Sequence, residues 1–448
     1  MQTNELLVHI RDLIETGNAA EIVALATRTQ ASQWADVIPQ LDEDEVATLF
    51  RLIPDTELPD VLAELDPAHA AEILQTLNRF DAADLLGALS PDDAKDLIDE
   101  LSDGHAEALL TLMAPADAEE IRELLAYPAE SAGGIMTPAF VAIAPGLRAE
   151  QAIAALRQVS REAETMYYVY VLDETEHLLG VLSLHRLVLT LPETPVRDLM
   201  IVDPIVVHVG ADQETAARRL TDHNLLALPV VDDENRLLGI ITQDDIADVL
   251  EAEATEDIER LGGSQPLDIP YRMAGVALLF RRRVIWLLLL FAAEAYTGTV
   301  LRHFEGEISR VVSLSFFIPL LNGTGGNNGS QVTTTLVRAM AVGEVRLRDV
   351  RWVLAKEVSV GLVLGAVMAV FAFGRAEFLN VGTDVGLVIA ITIAAICIWS
   401  ATVAAVLPLL LQRARIDPAV VSAPLIMTLV DGTGLVIYFT IAKYMLNL

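Results

Sequence analysis

The sequence predicts a multidomain chain: an all-α acidic superhelical N domain, a duplicated α/β module, an acidic connecting helix and a five-helix α transmembrane domain. Three observations predict it: how charge is divided along the chain, five long apolar segments, and two internal repeats. Of 448 residues 53 % are hydrophobic, yet the net charge is −33. Residues 271–448 hold 15 basic and 10 acidic side chains, whereas residues 1–270 hold 15 basic and 53 acidic ones. An acidic water-facing half is thus joined to a greasy, slightly basic one. A nucleic-acid binder needs cationic surface for phosphates and is excluded. The single Cys397 excludes a disulfide framework and a thiolate zinc cluster.

A helix crosses a bilayer with about 20 apolar residues. Five segments qualify: Val284–Leu301, Val311–Met340 (interrupted), Trp352–Phe373, Val385–Leu411 and Ala419–Leu446. Arg281, Arg282 and Arg283 precede the first, a basic group from Arg338 to Lys356 joins the second and third, and Arg413 and Arg415 follow the fourth. The Lys/Arg bias of short loops therefore places the N-terminus in the cytoplasm and the C-terminus outside. Chain start Met1–Ile10 carries charge and no continuous apolar core, so no signal peptide is expected.

Polar residues inside spans mark function, because a mid-bilayer carboxylate costs a few kcal/mol and faces a bundle interior or water. Asp431 sits mid-way along the fifth span, beside Gly432 and Gly434. Glu294 is a second intramembrane acid, either at the interface or in a pore. The second span carries Pro319–Gln331, with four glycines among amides and hydroxyls. Broken backbone is tolerated at that depth where it is shielded or lines an aqueous cavity. Asn322, Gly325, Gly326, Asn327 and Asn328 are therefore expected to line a pore with oxygen ligands suited to hard cations; helix packing through small residues is the rival reading.

In the acidic half, residues 40–128 repeat every dozen residues or so, with landmarks at Leu65-Asp-Pro67, Leu77-Asn78, Leu89-Ser-Pro91, Leu101-Ser-Asp103 and Met113-Ala-Pro115. Each introduces a short amphipathic helix; in Ser90-Pro91-Asp92-Asp93 a cap, a first-position proline and dipole-matching acids follow one another. A second repeat is sharper. Val171–Ser183 matches Val230–Thr242 at a shift of 59, each reading strand, polar turn, strand, with helical stretches Ala149–Ser160 and Asp212–His223 ahead. This duplication resembles the tandem CBS pair, which often binds adenine nucleotides through a Ser/Thr and an Asp three residues later. Thr242 and Asp245 keep that pattern in the second copy, and Ser183 with Arg186 departs from it in the first; ATP at the pair and a plain dimerising scaffold both stay open. Next, residues 244–260 carry eight carboxylates against Arg260. Packing such a helix onto an acidic body requires neutralisation, and carboxylates without thiols or paired histidines suit Mg²⁺ or Ca²⁺.

The order of parts, with Tyr127–Thr137, Glu251–Ile258, Pro319–Gln331 and Asp417–Ser422, resembles the MgtE family of magnesium channels over essentially the whole chain. The expected domains are 1–130 (N domain), 131–250 (CBS copies at about 136–199 and 200–250), 244–268 (connecting, or plug, helix) and 271–448 (pore). The resemblance implies no enzyme but a homodimer, multi-pass in the bacterial plasma membrane among its lipids, whose pore lies between subunits with Asp431 on a hydrated Mg²⁺. It further implies that intracellular Mg²⁺ closes the pore by bridging cytosolic acids, here Glu214, Asp245, Asp248, Glu256 and Asp257, with Asp92, Asp93 and Asp96 as N-domain partners. Asn224 departs from the family's acid there, and Asn322, Asn328, Ser330 and Gly432 vary its membrane strings. Two alternatives remain open: a membrane-anchored CBS nucleotide or energy sensor, and a transporter of another divalent cation such as Co²⁺.

Overall fold

A computed structural model describes residues 3–54, 56–159, 165–267 and 269–448. Its internal contacts divide the chain into two units, Met1–Ala252 and Glu253–Leu448.

The first unit opens with helices α1 (Thr3–Thr16), α2 (Ala19–Ala26), α3 (Ala31–Val37), α4 (Glu43–Phe50), α5 (Leu58–Ala63), α6 (Pro67–Thr76), α7 (Arg79–Leu86), α8 (Pro91–Asp99), α9 (Asp103–Leu112) and α10 (Pro115–Leu125). From α6 to α10 the helices start at Pro67, Arg79, Pro91, Asp103 and Pro115, every twelfth residue. The start signals are local. Asp66 accepts from the backbone of Ala68 and His69, and Asn78 from Phe80 and Asp81, while proline opens α6, α8 and α10. Trp34, Leu49, Leu62 and Leu86 lie in one continuous core along the stack. Ser90 occupies the cap position of α8, but its side chain accepts from no backbone N–H; the hydroxyl donates to Asp93 Oδ2 at 2.6 Å.

The duplicated module follows as β1 (Ala142–Ile143), α11 (Ala149–Val159), β2 (Tyr168–Leu172), β3 (Leu178–Ser183), α12 (Leu184–Leu189), α13 (Val196–Leu199), β4 (Ile201–Val202), β5 (Val207–His208), α14 (Gln213–Asp222), β6 (Ala227–Val231) and β7 (Leu237–Thr242). Ser160, expected to end α11, lies outside the described residues. The sheets run β1-β2-β3-β4 and β5-β6-β7; each pairs its first two strands parallel and the next two antiparallel. The shift of 59 reappears at the hairpin tips. Asp173 accepts from the backbone N–H groups of Thr175 and His177, and Asp232 does so from Glu234 and Arg236. Glu176 and Asn235 both take positive φ, 66° and 64°. The tips then pair with each other, Leu178 N–H to the Asn235 carbonyl at 3.0 Å and Leu237 N–H to that of Glu176 at 3.1 Å.

Helix α15 (Gln243–Leu261) leaves β7 without a break and seats Ile246 and Val249 in the core of the second copy. It stops short of residue 268, the expected end. Gly263 takes φ +76°, a left-handed conformation that terminates helices, and a Cβ there would lie 2.6 Å from Trp286 Nε1. Asp268 lies outside the described residues.

The second unit holds α16 (Val276–His303), α17 (Glu305–Arg310), a 3₁₀ segment Val312–Phe317, α18 (Ile318–Ala341), α19 (Val350–Phe378), α20 (Thr383–Arg413) and α21 (Ala423–Leu446). Among the described residues four helical segments are long and apolar enough to cross a membrane: Val276–His303, Leu347–Phe378, Thr383–Arg413 and Ala423–Leu446. Helix α18 has the length but a more polar sequence. It corrects one expectation: the Gly-Asn run is unbroken helix, not irregular backbone. Its glycines serve close packing instead. A Cβ on Gly325 would lie 2.6 Å from Ile396 Cγ2 and 2.8 Å from Val430 Cγ1, one on Gly326 2.9 Å from Met427 Cγ, and one on Gly329 2.5 Å from Ile426 Cγ2. Helices α20 and α21 therefore approach α18 at distances only glycine permits.

Candidate functional site

In the membrane-type unit the site begins with Asp431 on α21. Its side chain is half-buried, and among the described residues no Lys or Arg pairs with it. The charged group that acts on it is Glu294 of α16, which is itself exposed in a single chain. Gly432 lets the Tyr296 ring and Thr297 of α16 close in beside the acid. Among the described residues four buried side-chain oxygens in the same unit have no hydrogen-bond partner: Thr297 Oγ1, Asn322 Oδ1, Thr333 Oγ1 and Thr392 Oγ1. The expected pore-lining set separates. Asn327 is exposed and Asn322 half-buried, but Gly325, Gly326 and Asn328 are buried in packing within the chain. Asn328 donates from Nδ2 to the Cys397 carbonyl at 3.0 Å and to Ser400 Oγ at 2.7 Å. Within the chain, Gly325 and Gly326 thus sit at close helix crossings and Asn328 is tied to α20.

In the first unit, α8 and the start of α15 bring one acidic cluster together. Asp92, Asp93 and Asp96 lie on α8 and Asp244, Asp245 and Asp248 on α15. Burial, the Asp92 charge and the Asp244 charge push Asp245 up to about 8, against hydrogen bonds from Thr242 that pull it down. Asp93 is raised to about 6 by burial and by Asp92, Asp96 and Asp244, with the Ser90 hydroxyl opposing. Burial also raises Asp92, Asp96 and Asp248, and Glu64 adds to the field on Asp248. Lys95 is buried, but its ammonium turns to Asp96 at 2.7 Å and Asp99 at 3.3 Å. Asp92 Oδ1 is left buried without a partner. An orphaned carboxylate oxygen facing other carboxylates fits a hard cation. Among the described residues no three such side chains converge as a ready-made cage. Mg²⁺ does not require one, because it keeps several waters and takes one or two carboxylates directly.

The remaining expected residues are held elsewhere. Glu214 pairs with Arg218 one turn along α14. Thr242 gives its backbone N–H and hydroxyl to Asp245 Oδ2 at 2.7 and 2.8 Å, so the two candidate nucleotide ligands are engaged with each other. Glu256 shares the Arg260 guanidinium with Asp417 of the α20–α21 connection. Asp257 lies beside Glu256 on α15. Asn224 follows α14 with φ +50°, a left-handed position that asparagine tolerates. Sequence reasoning missed the Arg260–Asp417 pair. Only the i,i+4 spacing of Glu256 and Arg260 signalled its first half, and the partner lies 157 residues on.

An acidic helical body with paired α/β modules, joined by one helix to a membrane bundle holding an uncompensated carboxylate, is the layout of a cation transporter. Residues 318–441 match the family described as MgtE, divalent cation transporter; residues 29–130 match its intracellular N domain and residues 132–193 and 196–252 the CBS domain. The chain is 42 % identical to the magnesium transporter MgtE of Thermus thermophilus over 73 % of this chain and 72 % of that one. It is 34 % identical to that of Bacillus subtilis over 72 % and 71 %. Among solved structures, the cytosolic domain of the Mg²⁺ channel MgtE in complex with ATP is similar at TM-score 0.53 and 33 % identity, covering 54 % of this chain and 99 % of that one. The soluble part of a magnesium transporter matches at the same TM-score, 0.53. The chain belongs to the MgtE family, membrane transporters rather than enzymes.

Proposed function

We propose that this protein is a passive, Mg²⁺-selective channel formed between two copies of the chain and closed by intracellular Mg²⁺. The observation that carries the reading is the half-buried Asp431, beside the exposed Glu294 and, among the described residues, without a basic partner. Two acids facing lipid would be costly, so that side of α16 and α21 calls for protein or water, and a second copy supplies both. The five long helices, α18 included, are read as spans, with the N-terminus in the cytoplasm of a bacterial plasma membrane. A divalent ion entering down a potential of 100 mV gains about 4.6 kcal/mol, so no motor is needed. Since Mg²⁺ parts with water reluctantly, Asp431 of each subunit meets the hydration shell, and Asn322 and Thr297 offer further oxygens to it.

Closure follows from the acidic cluster. Metal-free, Asp92, Asp93, Asp96, Asp245 and Asp248 repel one another; Mg²⁺ bound among them holds α8 to α15, and Glu256 and Asp257 carry the same response to the end of α15. The relative bound to ATP extends the reading to a nucleotide at the CBS pair, where Thr242 and Asp245 are the groups in place. In proteoliposomes Asp431→Asn is expected to lower Mg²⁺ uptake at least tenfold. Undiminished, still selective uptake rejects the site.

A further inference from the structure

Between α19 and the start of α18 lies a cavity of about 400 Å³ that conduction does not use. One stripe of α19 supplies its wall, Met368, Phe371, Ala372 and Arg375, at offsets of three, four and seven residues from Met368, with Leu379 just past the end of the helix. Phe317, Leu320 and Ile393 close the far side. The lining is apolar except for Arg375, in the last turn of α19. Among the described residues Arg375 forms no ion pair; its guanidinium lies 5.8 Å from the Phe378 ring centre, over an exposed aromatic face. From Arg375 down to Met368 is about 10 Å along the helix axis, so the charge stands at the rim and the aliphatic floor lies towards the bilayer centre. Helix α19 turns Val363, Val367 and Val370 outward, and of the residues that line the cavity Phe371 of α19 and Phe316 of the 3₁₀ segment are themselves exposed apolar side chains.

A groove with a hydrocarbon floor and one unpaired guanidinium at interface depth has the polarity of a single phospholipid: acyl chain in the slot, phosphate on the arginine. We propose that this cavity is a binding site for an anionic glycerophospholipid, with Arg375 selecting the headgroup. The inference rests on the membrane placement of α18–α20 and not on conduction or gating.

The test places the photo-crosslinking residue p-benzoylphenylalanine at Phe371 in the full chain, reconstituted in vesicles of phosphatidylcholine and phosphatidylglycerol at 3:1, with adducts identified by mass spectrometry. Phosphatidylglycerol is expected among the adducts at three times its vesicle share or more. Arg375→Gln returns it to that share, and the same probe at Val363 shows no enrichment. Adducts at Phe371 in proportion to vesicle composition, an enrichment that survives Arg375→Gln, or cross-links to protein in place of lipid each overturn the assignment. Because the readout is lipid identity, it is independent of whether Mg²⁺ flows.

Discussion

Asp245 and Asp93 sit where an ordinary aspartate would be ionised at neutral pH, yet burial and like charges lift them to about 8 and about 6. The sign of the consequence follows from linkage. A carboxyl whose pKa is higher in the packed state binds a proton there that the opened state has lost. The packed arrangement is therefore fully favoured below about pH 4 and loses that advantage as pH rises through 6 and then 8. Without divalent ions, α8 and the first turns of α15 are expected to resist limited proteolysis better at pH 5.5 than at pH 8.5, and millimolar Mg²⁺ to narrow the gap by protecting at pH 8.5. Protection that rises with pH in EDTA would contradict the cluster's role.

At the scale of elements, two joints carry distinct expectations. Gly325 lets α18 meet Ile396 and Val430 without a side chain between them. Gly325→Val overpacks that crossing and is expected to destabilise the bundle by about 1–3 kcal/mol. In Gly374→Ala, where the added methyl meets open space on α19, thermal unfolding in detergent is expected to hold or rise by up to about 1 kcal/mol. Equal losses in both would remove the packing account of α18. The other joint is Arg260, which ties Glu256 of α15 to Asp417 ahead of α21. A partly exposed ion pair is worth up to about 1 kcal/mol. Arg260→Gln should thus raise the internal Mg²⁺ needed for closure about two- to fivefold and speed cleavage at residues 262–267. An unchanged closing concentration would make the pair incidental.

At the scale of the whole chain, the division of charge and the two rhythms were legible in the sequence because each is local. Proline and Asx caps recur every twelve residues, and the strand–turn–strand pattern recurs after 59. Asp431 was legible for the same reason, as one acid in an apolar run. What was not legible depends on neighbours far along the chain. The helicity of Pro319–Gln331 is set by Ile396, Ile426, Met427 and Val430 pressing on its glycines, and nothing local to the run announces them. Likewise nothing local to Asn328 announces that its Nδ2 donates to the Cys397 carbonyl and to Ser400 Oγ far along the chain.

The central claim is that one molecule both passes Mg²⁺ and is shut by it through the acidic half. The most direct measurement is the initial rate of Mg²⁺ uptake into proteoliposomes, with the cytosolic face exposed to Mg²⁺ from micromolar to tens of millimolar, against a constant driving force. Uptake is predicted to be fast at low cytosolic Mg²⁺ and to fall cooperatively in the millimolar range, with Asp92→Asn and Asp245→Asn together moving that fall upward about tenfold, the loss of roughly 1.4 kcal/mol of binding. A rate independent of cytosolic Mg²⁺, or one whose fall ignores both substitutions, would contradict it.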